Sequence, residues 1–559
     1  MKRRDFLRAA AASAIAACAP TATTPGPTGD VVSGMSLERK VGQLMSVAFH
    51  GTKITSSLEA MIRDRGVGGV ILYSENFADA AGLAKIVADL DQIARDAKSL
   101  PLFFEIDQEG GPVIRINKGA TILPGQMALA ATADPERSVR TAATIAATEL
   151  RALGVNWNFA PVADVNDEPT NPIISNRSFS SDPARVSALV TAAVQAYAAA
   201  GFFCCAKHFP GHGSTTTDSH TGLPKIEVDR ATLDRIELPP FRAAIAAGVP
   251  AIMSAHIVVP ALDATPELPV TLSKAVMTDL IRNTLGFQGI VVTDDLEMGA
   301  LSNVGEAAAG LRAIQAGADY LLFRFDESAQ LEGHRLITDA VRSGSLDGGQ
   351  IDRSVRRVVD AKRRFGILDG RRDQSAPDLS ANAKTSLELA RGATTLLRNR
   401  GGALPLRGRI LAVSPTNADI SFFDGQPTLG SVISTKRPDA IVQSLPLRPS
   451  AAEIDRVVTA SRAADAVVVG TTNLFAYPEQ VDLVRALAKE KPVAVVALRG
   501  PYDILSIPEI AAYLCAYDSR EPSLTAAAEV LLGERKPLGS LPAVVPGVFS
   551  IGAGMRDFA

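Results

Sequence analysis

Tryptophan occurs once in this 559-residue chain, cysteine four times and histidine six times. The cysteines, Cys18, Cys204, Cys205 and Cys515, include an adjacent pair and follow no regular spacing, which excludes a disulfide framework and a zinc ribbon. Cys204 and Cys205, just before Lys207, are expected in the core, the usual place of a free thiol. Neither sign of charge is in excess: 57 basic side chains face 60 acidic ones, for a formal net charge of −3. No long-range field therefore favours nucleic acid or an anionic membrane, and the substrate need not be highly charged. Internal repeats are absent beyond a strand-helix rhythm, and low complexity is confined to the N-terminus.

What is there begins with an address. "MKRRDFLRAAAASAIAACAP" has a basic start, an alanine-rich apolar run too short to span a bilayer, and a small-residue stretch that reaches Cys18. Arg3 and Arg4 ahead of Phe6 and Leu7 resemble a twin-arginine export signal, and Ile15-Ala16-Ala17-Cys18 resembles a lipobox. The expectation is a cleaved signal over 1–18, lipidation at Cys18, and a flexible tether over 19–36. The protein would then be an exported, periplasmic or cell-envelope lipoprotein that meets a membrane through its lipid. The alternative is an ordinary secretory signal with a chance cysteine.

The chain is too long for one core, so two domains are expected. From Leu37 onward, eight short apolar runs alternate with amphipathic stretches: "LMSVAFHG", "VGGVILYSEN", "PLFFEIDQEGG", "VNWNFAPVADV", "FFCCAKHFPG", "AIMSAHIVVP", "IVVTDDLEM" and "DYLLFRFDE". Helices are expected over "DPERSVRTAATIAATELRALG" and, as one unit, over "RATLDRIELPPFRAAIAAG". The pattern predicts an α/β fold, a (β/α)8 TIM-type barrel over 37–368. A polar linker over 369–384 leads to a smaller open α/β sandwich domain over 385–559, with strands at "RILAVSP", "ADAVVVGTTN", "KPVAVVALRG" and "AAYLCAYD". The "LRGPYD" turn lacks dinucleotide-binding glycine spacing, and no cofactor is expected.

Polar residues gather at the C-terminal ends of the barrel strands, where such barrels build their sites: Asp107 and Glu109, Asp164, Lys207 and His208, His256, Asp294 and Asp295. Asp294, delivered off the apolar run "VVT", is placed to attack a substrate carbon or stabilise a cation, while Asp295 would cap a helix opening at "DDLEMGA". Asp218 and His220 stand two apart after a glycine-rich loop. Extended backbone would turn both to one side, so that the carboxylate raises the imidazole pKa; the alternative is two solvated, unpaired loop residues. Asp107, Arg115, Arg177, Lys207 and His208 offer donors and acceptors to a polyhydroxylated ligand, although Arg177 could equally pair with a structural carboxylate. His208, His212, Asp218 and His220 could hold zinc, but their spacing matches no metal pattern and the glycines around His212 point to a bent loop, so no metal is expected.

"KHFPGHG" with Asp218 and His220, "DQEGG" followed by Arg115, "NRSF", "GFQGIVVTDDLEMGA" and the later "LELARGATTLLRNRGGALPL" together resemble glycoside hydrolase family 3, and within it bacterial β-N-acetylglucosaminidases that trim cell-wall muropeptide sugars. The resemblance spans about 37–370 and extends into the second domain. It implies that Asp294 is the nucleophile of a retaining hydrolase and that His220, oriented by Asp218, is the acid/base. Asp107, Arg115, Arg177, Lys207 and His208 would then bind the N-acetylglucosamine ring of a larger oligosaccharide. Pro112 stands where the resembling enzymes commonly carry arginine. Within the same resemblance lie phosphorolysis, since a histidine acid/base does not repel phosphate, and β-glucosidase or β-xylosidase activity. A non-catalytic wall-binding lipoprotein is the alternative of another class.

Overall fold

The computed structural model describes residues 31–370, 376–416 and 427–559; the signal, Cys18 and the first part of the tether lie outside them. All eight expected runs become parallel strands: β1 Met45–Val47, β2 Gly69–Ile71, β3 Phe103–Ile106, β4 Trp157–Asn158, β5 Phe203–Phe209, β6 Ala251–Ser254, β7 Ile290–Asp295 and β8 Tyr320–Phe323. They close in chain order, and β8 returns to β1 with Leu321 opposite Met45. This is the predicted (β/α)8 barrel.

Its interior is filled by aromatic rings. Trp157, fully buried, stands 4.8 Å from Phe103, 4.6 Å from Phe203 and 5.3 Å from Tyr320, centroid to centroid. A barrel plugged in this way has no pore, so substrate chemistry is confined to its ends. Glu105 lies inside the plug, where it accepts the Tyr320 hydroxyl at 2.6 Å and the Ser46 hydroxyl. Burial pushes its carboxyl up to about 8. Cys204 and Cys205 are buried as expected, and burial raises both thiols.

Helix Pro135–Ala152 forms where the apolar spacing placed it, capped by Asp134. The stretch 230–248 forms two helices instead of one, Arg230–Arg235 and Leu238–Ala246. Pro239 and Pro240 explain the break: proline lacks the amide that would continue the first helix and is tolerated in the opening turn of the second.

The second domain is a six-stranded sheet. Its strands are β9 Thr395–Asn399, β10 Ile410–Pro415, β11 Ile441–Leu445, β12 Ala466–Thr471, β13 Val493–Ala497 and β14 Ala512–Cys515. Their order is β11-β10-β12-β13-β14-β9, with only β9 antiparallel. The four strands read from apolar runs are the inner ones, covered on both faces. The two edge strands escaped that reading, and in β11 the half-exposed Gln443 and exposed Ser444 interrupt the apolar pattern. Helix Leu379–Ala393 begins inside the stretch expected as linker, started by Asp378, whose carboxylate accepts from the Ala381 amide. Among the described residues no helix is long and apolar enough to cross a membrane.

Candidate active site

A cavity of about 340 Å³ opens at the C-terminal ends of the barrel strands. Asp107, the residue after β3, enters it together with Glu109 and Arg115 because the chain folds back sharply there: the Gln108 side chain accepts from the Arg115 and Ile116 amides at 2.8 and 3.2 Å. Gly110 and Gly111 take left-handed φ values of 91° and 57° in that turn. A Cβ on Gly111 would stand 2.6 Å from the Gly125 Cα, so only glycine fits.

Lys207, from β5, bridges the two acids of this turn, with its Nζ 2.7 Å from Asp107 and 2.7 Å from Glu109. Arg115 donates to the other Asp107 oxygen at 2.9 Å, and Arg177 grips Glu109 with two parallel bonds of 2.9 and 2.8 Å. Arg177 therefore does pair with a carboxylate, one that itself lines the cavity. Burial alone would raise the Asp107 and Glu109 carboxyls, but Lys207 with Arg115 and Arg177 outweighs it and holds both well below the usual range. Three cations against two carboxylates leave this wall with positive charge to spare.

Behind the wall lies Asp164, fully buried, which accepts from the His208 ring at 2.7 Å and from the His208 and His212 amides at 3.0 and 2.8 Å. It orients two histidines at once. His208 Nδ1 donates to Asp164, so its Nε2 faces Arg177 as an acceptor at 3.3 Å. His212 is buried, which pushes it down to about 4 and keeps it neutral. Thr215 donates its hydroxyl to the His212 carbonyl at 3.1 Å, so the ring Nδ1 is the donor to Thr215 at 2.9 Å and Nε2 accepts the Ser219 hydroxyl at 3.0 Å.

Asp294 stands near the end of β7 and lines the same cavity. Burial pushes its carboxyl up, yet His208, His256 and Lys207 more than offset this and keep it below the ordinary carboxylate range. Asp295 starts no α-helix. Its carboxylate accepts from the Glu297 amide at 2.9 Å in a turn, and a short 3-10 segment, Gly299–Leu301, follows. Asp295 instead lines the cavity, 3.4 Å from Arg324, and burial raises it to about 7. His256 Nε2 donates to the Asp295 carbonyl at 2.9 Å and so fixes the turn that follows the strand.

Asp218 and His220 are brought together, with His220 Nδ1 2.8 Å from Asp218 Oδ1. The expected extended backbone is not what joins them. The His220 amide donates to the same Asp218 oxygen at 2.9 Å and the Thr221 amide to the Asp218 carbonyl at 3.1 Å, which makes a side-chain-closed turn. The Asp218 hydrogen bond outweighs burial and raises the imidazole above its ordinary value. His220 Nε2 is left for a substrate. The ring nitrogens of His208, His212 and His220 thus serve separate partners, and among the described residues no group of histidine, cysteine and acids converges as a metal requires.

The lining residues not legible in the sequence include Tyr73, Ser219, Met298, Arg324 and Arg499. Arg324 and Arg115 lie over the Tyr73 ring at 5.1 and 5.4 Å, making a cation-covered aromatic wall. Arg499 comes from the second domain and donates to the Pro172 carbonyl at 2.7 Å. The second domain also braces the loops behind the site. Arg520 donates to the carbonyls of Gly111 and Pro112 at 2.9 and 3.1 Å, and Asn176, beside Arg177, donates to the Tyr517 carbonyl at 2.6 Å.

Residues 36–361 match the N-terminal domain of glycosyl hydrolase family 3 and residues 394–550 match its C-terminal domain. Beta-hexosaminidase A of Pseudoalteromonas piscicida is 32% identical over 88% of this chain and 92% of its own length. A beta-hexosaminidase of Xylella fastidiosa (strain 9a5c) is 38% identical over 50% of this chain and 82% of its own. Among solved structures, a family 3 beta-N-acetylglucosaminidase from Paenibacillus sp. str. FPU-7 superposes with a TM-score of 0.87 at 36% identity, covering 92% of this chain and all of the other.

Proposed function

The chain belongs to glycosyl hydrolase family 3, and we propose that within it the protein is a retaining, exo-acting β-N-acetylglucosaminidase. One observation carries the reading. An ionised Asp294 on a rigid strand and a His220 paired with Asp218 line one cavity with a pre-assembled array of charged and polar groups, Asp107, Arg115, Arg177, Lys207 and His208. The likeness to a family 3 beta-N-acetylglucosaminidase at 36% identity over 92% of this chain supports N-acetylglucosamine as the sugar.

The steps follow from the residues. Asp294 attacks the anomeric carbon as His220 Nε2 gives its proton to the glycosidic oxygen; the carbon–oxygen bond breaks and a glycosyl ester forms on Asp294. Neutral His220 then takes a proton from water, which attacks the same carbon, and Asp294 leaves as the carboxylate. Two inversions give net retention. A histidine in the second role also avoids the mutual pKa rise of two nearby carboxylates, so Asp294 is ionised when it attacks. Asp107, Arg115, Arg177, Lys207 and His208 hold the ring, their side chains already paired and oriented before substrate arrives. Cys18 and the preceding signal support export as a lipoprotein, with cell-wall fragments as the glycan.

The test is mass spectrometry of the protein after a slow fluorinated N-acetylglucosaminide. A glycosyl adduct on Asp294 is expected; an adduct on any other residue overturns the mechanism. Asp294→Ala is expected to abolish hydrolysis of an aryl N-acetyl-β-glucosaminide.

A further inference from the structure

The loop that carries Asp218 and His220 is held against the nucleophile's own turn by two backbone hydrogen bonds. The Ala300 amide donates to the Ser219 carbonyl at 3.2 Å and the Gly299 amide to the His220 carbonyl at 3.3 Å. Both amides belong to the short segment Gly299–Leu301 that follows β7, whose end carries Asp294. Contact this close requires the absence of a side chain. A Cβ on Gly299 would lie 2.6 Å from the His220 carbonyl oxygen and 3.2 Å from the His220 and Thr221 carbonyl carbons. Glycine is not needed there for backbone reasons, because Gly299 is not among the residues with positive φ.

The same loop is tied from its other side. The His212 ring accepts the Ser219 hydroxyl at 3.0 Å, and its amide is fixed to Asp164 at 2.8 Å. Ser219 is therefore clamped twice, by its hydroxyl to the binding wall and by its carbonyl to the nucleophile's turn. His256, bonded to the Asp295 carbonyl, keeps that turn in place from below.

We propose that Gly299 is a positioning residue for proton transfer: its bare Cα lets the turn after Asp294 latch the Ser219 and His220 carbonyls, so that acid/base and nucleophile share one frame. The proposal rests on His220 as the acid/base. At 3.2 and 3.3 Å the two bonds lie at the long end of the backbone range. Gly299→Ala keeps the local backbone conformation available, and the nearest atoms its Cβ meets belong to residues 220 and 221.

The experiment uses the full chain and compares kcat/KM for two aryl N-acetyl-β-glucosaminides, one with a dinitrophenolate leaving group that departs without protonation and one with a phenolate that needs it. Well-placed general acids contribute roughly 10²- to 10⁴-fold. Gly299→Ala is expected to lower the phenyl rate at least about tenfold while changing the dinitrophenyl rate less than about twofold. Ser219→Ala, which loses the His212 bond, is expected to move the two rates in the same unequal way by a smaller factor. Equal losses on both substrates, or no loss on either, would overturn the latch. His220→Ala separates the two readings: if it fails to steepen the leaving-group dependence, the acid/base assignment falls, and if it steepens that dependence while Gly299→Ala does not, only the latch falls.

Discussion

Replacing Lys207 with methionine removes one charge from the centre of the binding wall and little volume. Lys207 Nζ lies 2.7 Å from both Asp107 and Glu109, and its side chain is 3% exposed. At an effective dielectric of about 20, each such contact is worth roughly 6 kcal/mol before desolvation. Most of that is spent in burying the ions, and breaking a buried pair by deleting one partner costs about 3–5 kcal/mol. Arg115 still holds Asp107 and Arg177 still holds Glu109, which places Lys207→Met near about 3 kcal/mol, against a usual total of about 5–15 kcal/mol. The sign with pH follows from the depressed pKa values of both acids. Depressed carboxylates stabilise the fold above their ordinary pKa and lose that contribution as pH falls through the folded one. The gap between wild type and variant in urea denaturation should therefore be widest near neutrality and shrink below about pH 4. In the same variant the Asp294 carboxyl loses one of the cations that keep it ionised, so the acid limb of kcat/KM moves to higher pH. A loss below about 1 kcal/mol at neutral pH, or a gap that does not narrow in acid, refutes the reasoning.

Three further outcomes are expected. Asp218→Asn removes the acceptor that raises His220, so the alkaline limb of kcat/KM shifts to lower pH and the rate with a poor leaving group falls about 10- to 100-fold, read from pH–rate profiles. Arg520→Met deletes two bonds from the second domain to the Gly111 and Pro112 carbonyls; about 1.5–3 kcal/mol of stability is lost per bond to a charged donor at most, and KM rises more than kcat falls. Trp157, the only tryptophan, is fully buried in the barrel plug, so denaturation followed by its emission reports the barrel alone. A helix signal by circular dichroism that includes the second domain should depart from it wherever the two domains unfold separately, and coincident curves would mean that their contacts make one cooperative unit.

How much of the site was visible in the sequence depended on how far each interaction reaches along the chain. Asp107, Lys207, His208 and Asp294 are legible because a charge at the end of an apolar run is a local feature and the barrel always turns that end toward the site. The Asp218–His220 pair is legible from its spacing, although an aspartate-closed turn joins the two where extended backbone was expected. The partner of Arg177 is not legible: Glu109 lies 68 positions away, and no local pattern couples "DQEGG" to "NRSF". The links from Arg499 to Pro172 and from Arg520 to Gly111 reach across 327 and 409 positions and exist only because two domains pack together. Yet Arg499 did leave a signal. It stands just past the end of β13, Val493–Ala497, as Asp107 stands just past β3, and open parallel sheets, like barrels, use the carboxyl ends of their strands. The absence of dinucleotide-binding glycine spacing in the "LRGPYD" turn excludes one ligand and leaves the strand-end arginine its role. Applied to the second sheet, the strand-end rule that found the barrel residues would have turned Arg499 toward the cleft. The second domain is then part of the site on the same physical ground as the first.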